Sequence, residues 1–281
     1  MIIHEYTDNL RDSFKEQMLM DELSSGTIQN YLHGLDSFLR FCGETKPIQK
    51  DTVLEYKEHL KKHYAVASVN THLAALNAFF RFADWQDCTV KALKVQCEAF
   101  RPKNKELTRE DYIKLLRTAQ GKGNERMYLL METICSTGIR ISELPFITVE
   151  AVQSGQALVT LKGKSRSVII SSDLRKKLLV YAKEQKITTG SIFITRSGKP
   201  MDRSNILRSM KRLGEKAGIP LEKIFPHNLR HLFAVVYYSK EKDIAHLADV
   251  LGHSNINTTR IYTLISSEEH AQTINQLGLV L

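Results

Sequence analysis

Apolar residues recur at helical spacing through the first third of this chain, and that periodicity limits it to a small helical bundle. In TIQNYLHGLDSFLRFCGE, Ile28, Tyr31, Leu32, Leu35, Phe38 and Leu39 fall three or four apart, as one face of a helix requires. Thr27 is placed to cap that helix and Gly43 to stop it. DTVLEYKEHLKKHY opens with Asp51 as a cap and closes with cations, which suit the negative end of a helix dipole. SVNTHLAALNAFFRFADW puts Val69, Leu73, Leu76, Phe79 and Phe80 on one face. With an earlier helix around residues 8–22, these segments predict a four-helix unit over residues 1–96.

The pattern breaks at CEAFRPKNKELTRED, where a proline sits among basic residues before Thr108, a fresh N-cap with Asp111 three positions on. Residues 97–107 read as a linker into a second domain, 108–281. ERMYLLMETICSTG predicts a helix ending at Gly138, and further helices are expected at about 202–217, 226–239, 243–251 and 256–264. Ser266 or Ser267 would cap a last one through EEHAQTINQL. One island alternates instead: QALVTL (156–161) and SVIIS (167–171) flank the basic turn KGKSR as a hairpin, and SIFIT (191–195) is a candidate third strand. The expected fold class is mainly α with a small antiparallel sheet, in two domains.

Composition narrows the function classes. No apolar run approaches the roughly 18 residues of a membrane span. The start, MIIHEYTDNLRDSF, lacks the basic region and apolar core of a signal peptide. Cys42, Cys88, Cys97 and Cys135 are scattered, which implies neither a disulfide nor a metal site and fits reduced thiols in a cytoplasm. Forty basic residues against thirty-one acidic ones give a net charge of +9, which points to a polyanionic partner, either nucleic acid or an anionic membrane surface.

Four stretches carry chemistry-bearing residues. STGIRISEL holds Arg140 just after a helix-ending glycine, LKGKSR holds Lys162 and Lys164 at the hairpin tip, PHNLRHLFA sets His227 and Arg230 on one helix face, and LGHSNINTTRIYT supplies His253 and Tyr262. Each alone has an ordinary reading: a helix-end arginine, solvated lysines, a structural His–Arg pair, a glycine cap and a packed tyrosine. His227 and His231 lack the glutamate of a zinc helix, and Leu158 stands where a phosphate loop needs its first glycine. Together the residues meet one need. Attack by a tyrosine on a DNA phosphodiester requires cations and hydrogen-bond donors around the phosphate, a proton acceptor for a phenol of pKa about 10, and an acid for the departing sugar oxygen.

These stretches resemble those of the tyrosine recombinases, the phage integrase family, and in size and plan its Xer-type members. The match rests on the Arg140 segment, His227-x-x-Arg230-His231, and LGHSNINTT-x-x-Tyr262, with spacings of 23 from Arg230 to His253 and nine from His253 to Tyr262. The resemblance implies that Tyr262 attacks the scissile phosphate to form a 3′-phosphotyrosyl link. Arg140 and Arg230 would grip the phosphate, His227 would assist proton transfer, and His253 would donate to a nonbridging oxygen. Lys162 would be the general acid on the hairpin, with Lys164 the alternative, because the turn is one residue shorter than the family's common form. It further implies a reaction without metal or ATP, and four copies on two DNA sites exchanging strands through a Holliday junction, alone or with a second recombinase or accessory factor. The family's C-terminal helix docks into a neighbouring protomer, for which Ile274, Leu277, Leu279, Val280 and Leu281 are apolar enough; packing on its own domain is the alternative. Few residues precede the first helix, so no arm-site-binding domain is expected. Two other functions stay open: type IB topoisomerase-like relaxation of DNA, and a helical DNA-binding regulator without catalysis.

Overall fold

The structure, a computed structural model, describes residues 2–43, 47–94, 105–161, 163–262 and 275. The chain divides into two compact units, Met1–Cys97 and Glu98–Leu281. The expected linker lies outside the described residues over 97–104, and its last residue, Leu107, is buried in the core of the second unit.

The first unit holds helices α1 (Asp8–Met20), α2 (Ser25–Cys42), α3 (Lys50–His63) and α4 (Val66–Phe82), followed by a 3₁₀ turn at Gln86–Cys88. Their apolar faces meet in one core containing Phe14, Leu35, Phe38, Tyr56, Leu73 and Phe80. Phe79 and Trp85 pack edge to face at 5.5 Å, as do Phe38 and Tyr56 at 5.3 Å, an arrangement the ring quadrupoles favour. Two caps differ from expectation. Ser24, not Thr27, caps α2: its hydroxyl accepts from the Thr27 amide, so the helix starts earlier than its apolar face. Gln49 precedes α3, and Asp51 sits inside its first turn, where its charge faces the positive end of the dipole. Past α4, the side-chain amides of Asn77 and Asn70 each make two hydrogen bonds to the backbone, of Val90 and Leu93 respectively, and so fasten that extended segment along the helix.

The second unit holds α5 (Arg109–Gly121), α6 (Glu125–Thr137), a 3₁₀ turn Ile141–Phe146, α7 (Val149–Ser154), strands β1 (Gln156–Leu161) and β2 (Lys164–Ile169), α8 (Ser172–Glu184), α9 (Arg203–Ala217), α10 (Pro226–Glu241), α11 (Ile244–Leu251) and α12 (Asn257–Arg260). Thr108 caps α5 in a capping box with Asp111, as the spacing predicts. Helices α6 and α10 pack together, with Leu130 and Ile134 of α6 and Leu229 of α10 in one buried cluster.

The hairpin is tighter than KGKSR suggested. Leu161 pairs with Lys164, so the strands run almost to the tip, where Gly163 stands at φ +71°, and Ser165 and Arg166 belong to β2. This register sets Arg166 opposite Val159, on the face where Ala157, Val159 and Val168 are buried. SIFIT is not a third strand: among the described residues the sheet has two strands. Its backbone instead follows the link between the 3₁₀ turn and α7, with the Ile192 amide bonded to Ile147 O, and then turns so that the Met201 amide reaches Phe193 O. The apolar run is buried by that packing rather than by a sheet, with Ile192 and Phe193 in the core. The expected final helix, 268–277, lies outside the described residues except for residue 275.

The first unit depends on close contact between α2 and α4. A Cβ at Gly34 would stand 2.7 Å from the Ala75 Cβ. Gly34→Leu is expected to lower unfolding free energy by about 2 kcal/mol despite leucine's better helix propensity. Urea denaturation checks this, and an unchanged midpoint would contradict the packing described.

Candidate active site

Two glycine-ended helices build the site's floor. Helix α6 stops at Gly138, at φ +65°, where a Cβ would meet the Phe233 ring at 2.4 Å. Helix α11 stops at Gly252, also at φ +65°: the Gly252 amide bonds to Asp249 O and the His253 amide to Ala248 O, a Schellman turn. That turn leaves the carbonyls of Val250, Leu251 and Gly252 without helical partners, at the negative end of the dipole. Three arginines fill the need. Arg166 Nη1 donates to Val250 O at 2.5 Å, Arg230 Nη2 to Leu251 O at 2.9 Å, and Arg140 Nη2 reaches Gly252 O at 3.4 Å. Arg230 also donates through Nη1 to Gly138 O at 2.6 Å, so one guanidinium joins the ends of α6 and α11.

Arg230 is 1% exposed. Burial pushes its pKa down, the neighbouring Arg140 adds to this, and together they bring it to about 10, so it stays charged at neutral pH. The carboxylate that offsets this charge is Glu143, itself buried. It accepts from Arg140 Nη1 at 2.9 Å, from Arg166 Nη2 at 2.6 Å and from the Arg140 amide at 2.8 Å. Burial pushes the Glu143 carboxyl up, but the bonds from the Arg140 amide, from Arg166 and from the Arg140 side chain outweigh it and hold the group below its ordinary value. Three guanidinium groups against one carboxylate leave the cluster about two charges positive, a standing demand for an anion.

His253 lies beside this cluster, with Nε2 2.8 Å from Arg230 Nη2 and Nδ1 2.9 Å from Thr259 Oγ1. Burial lowers its pKa, and Arg230, Arg140, Arg166 and His227 lower it further, to about 4. Tyr262 stacks on the His253 ring at 6.1 Å and tilts against His231 at 5.1 Å. The tyrosine is 4% exposed and packs with Ala234, Leu247 and Leu251. His227 is exposed and lines a cleft of about 530 Å³ with Arg140, Arg230 and Ser142, at the start of α10, where Pro226 occupies the first helical position. Neither His253 nor Tyr262 lines that cleft.

The structure thus gathers Arg140, Arg230, His253 and Tyr262, and sets His227 at the adjoining cleft. Lys162 lies outside the described residues, and Lys164 is described only through its backbone pairing with Leu161. Two residues join that the sequence reading did not place at the site. Arg166 closes the basic turn KGKSR, where nothing in the sequence set it apart from the lysines. Glu143 had a signal, standing three positions after Arg140 and so able to reach back to its amide, but an acidic residue amid cationic chemistry gave no reason to choose it.

The phage integrase family model matches residues 105–269, and the model of a phage integrase N-terminal SAM-like domain matches residues 10–84. The tyrosine recombinase XerA of Pyrococcus furiosus is 26% identical over 277 residues, covering 96% of this chain and 94% of the relative. A crystal structure of XerA recombinase aligns with a TM-score of 0.53 at 26% identity, over 98% of this chain and all of that one. A lambda integrase tetramer bound to a Holliday junction aligns with a TM-score of 0.72 at 18% identity, over 90% and 76% of the two chains, a likeness of fold.

Glu143 yields a stability test. Because its folded pKa is below its unfolded value, its contribution is full above about pH 4.3 and is lost as pH falls through the lower folded value. Glu143→Gln is expected to cost about 3 kcal/mol at pH 7, since it leaves Arg140 and Arg166 without their anion beside the buried Arg230, and to make the acid limb of a stability–pH curve shallower. Urea unfolding between pH 3 and 8 reads both effects; a parallel shift with no change of slope would separate Glu143 from the arginines.

Proposed function

The chain belongs to the phage integrase family, and from that premise we infer that it is a site-specific DNA recombinase in which Tyr262 is the nucleophile. The observation that carries this reading is the surplus of positive charge among Arg140, Arg166 and Arg230, set against one carboxylate and next to a tyrosine and a histidine. A phosphodiester supplies the missing negative charge, and its pentavalent transition state carries more of it than the ground state does. Guanidinium groups already held by helix carbonyls and Glu143 need little reorganisation to receive it.

In the proposed reaction Arg140, 40% exposed in its side chain and at the cleft, engages the nonbridging oxygens with Arg230. Tyr262 attacks phosphorus, its phenolic proton leaves toward solvent or His227, and the 5′ oxygen departs with a proton from Lys162. The 3′-phosphotyrosyl link conserves the energy of the broken bond, so religation to a new strand needs no further energy source. Since Tyr262 is buried, its side chain has to turn outward before attack.

The first unit, which matches the SAM-like model, would grip the duplex, and the net charge of +9 supports backbone contact. Four copies on two sites, as in the lambda integrase tetramer on a Holliday junction, would carry out exchange, with the C-terminal apolar residues linking neighbours. Among the described residues no helix is long and apolar enough to cross a membrane, and Cys42, Cys88 and Cys135 are thiols rather than disulfides, which supports a reducing cytoplasm that holds DNA.

The test is to trap covalent protein–DNA complexes in cells and sequence the attached DNA. Wild-type protein is expected to yield one recurring site, and Tyr262→Phe none while still binding that site. An adduct persisting in Tyr262→Phe would remove Tyr262 as nucleophile; wild-type relaxation of supercoils at random sequence would favour the topoisomerase instead. Arg140→Ala should slow single-turnover cleavage of the recovered site by about 10²–10³-fold with a smaller effect on binding.

A further inference from the structure

His253 is held at both ring nitrogens, and the two partners are unequal. Arg230 has only donors, so the Nε2 facing it at 2.8 Å presents a lone pair. The proton of the neutral ring is then on Nδ1, donated to Thr259 Oγ1 at 2.9 Å. That arrangement conflicts with the role the family resemblance implies for His253, donation to a nonbridging oxygen. A nonbridging phosphate oxygen arriving between Arg230 and the ring would meet a lone pair where it needs a proton.

Two routes supply that proton. The ring can take one up and become an imidazolium, but Arg230 and His227 on α10, Arg140 before the 3₁₀ turn and Arg166 on β2 all act against a further positive charge, with Glu143 the one opposing anion in contact with these arginines among the described residues. Alternatively the neutral ring exchanges tautomers: one proton leaves Nδ1 for solvent, one is taken up at Nε2, and the net charge is unchanged. The bare Nδ1 then needs a donor. Thr259 is fully buried, its amide is already bonded to Ile256 O, and its hydroxyl lies 2.9 Å from His253 Nδ1. A hydroxyl donates as readily as it accepts, and turning about its C–O bond is enough.

We propose that Thr259 is a positioning residue that lets neutral His253 change tautomers, accepting from Nδ1 before phosphate binds and donating to Nδ1 afterwards. This rests on the recombinase reading above and specifies how its histidine can face both an arginine and a phosphate.

The experiment is nitrogen NMR of the His253 ring at pH 7.5, alone and with a duplex of the site recovered from trapped complexes, on a Tyr262→Phe background that stops the reaction. The expected result is a neutral Nδ1–H ring without DNA and a neutral Nε2–H ring with it. A ring protonated at both nitrogens in the complex, or Nδ1–H in both states, overturns the proposal. Single-turnover cleavage gives the second readout. Thr259→Val keeps the side-chain shape without the hydroxyl and is expected to slow cleavage about 10- to 100-fold with unchanged DNA affinity, as when a buried ring nitrogen loses its partner. Thr259→Ser is expected to recover the wild-type rate and the tautomer change. Equal losses in both variants, or no loss in Thr259→Val, reject the role. His253→Ala cleaving at the wild-type rate likewise rejects the role, whereas failure of the underlying reading has a different signature: the wild-type protein then forms no covalent adduct with DNA.

Discussion

Three arginines converge on the last three carbonyls of one short helix, and the site depends on that arrangement. The end of α11 offers Val250, Leu251 and Gly252 as acceptors because Gly252 turns the chain away in a left-handed conformation. A side chain at 252 would also collide with Arg166, whose Cδ would stand 2.4 Å from the new Cβ. The same glycine therefore ends the helix and makes room for the cation that covers it. Arg230 extends the junction to Gly138 at the end of α6, so two helix termini are tied through one buried guanidinium.

Such an assembly is held together at some electrostatic cost. Burial first and then the crowding of like charges depress the pKa values of Arg230 and His253. Glu143 and the helix carbonyls offset the repulsion only in part, and the remainder is relieved when an anion arrives. Binding and catalysis thus draw on one source: the field that makes the unliganded cluster unfavourable is already aimed at the charge that develops on phosphorus in the proposed reaction. The neutral state of His253 belongs to the same balance, since a fourth cation would add to the strain without adding an anion.

Much of this was legible in the sequence, for reasons that differ by residue. Helical periodicity located α1 to α4, because burial of one face leaves a three-to-four repeat that other forces do not imitate. Gly138 and Gly252 marked helix ends, since only glycine takes that backbone conformation without strain. Arg140, Arg230, His253 and Tyr262 were recognisable from spacing and type, and the fold brings them together. What stayed hidden was relational. SIFIT had strand composition, but its partner turned out to be the link before α7, so its apolar residues are buried without a sheet. Glu143 mattered through contacts with two arginines, one of them 23 residues away. The burial of Tyr262 is set by Ala234 and Leu247, which come from α10 and α11 and lie far from it in sequence.

The central claim is that the phosphate joins the chain at one hydroxyl. The most direct measurement is mass spectrometry of trypsin and nuclease digests of the trapped complex. Cleavage after Arg260 puts Tyr262 in the peptide beginning Ile261-Tyr262. The account predicts a 3′-phosphonucleotide on Tyr262 in that peptide; the same mass on Tyr237 or Tyr238, or on no tyrosine, would contradict it.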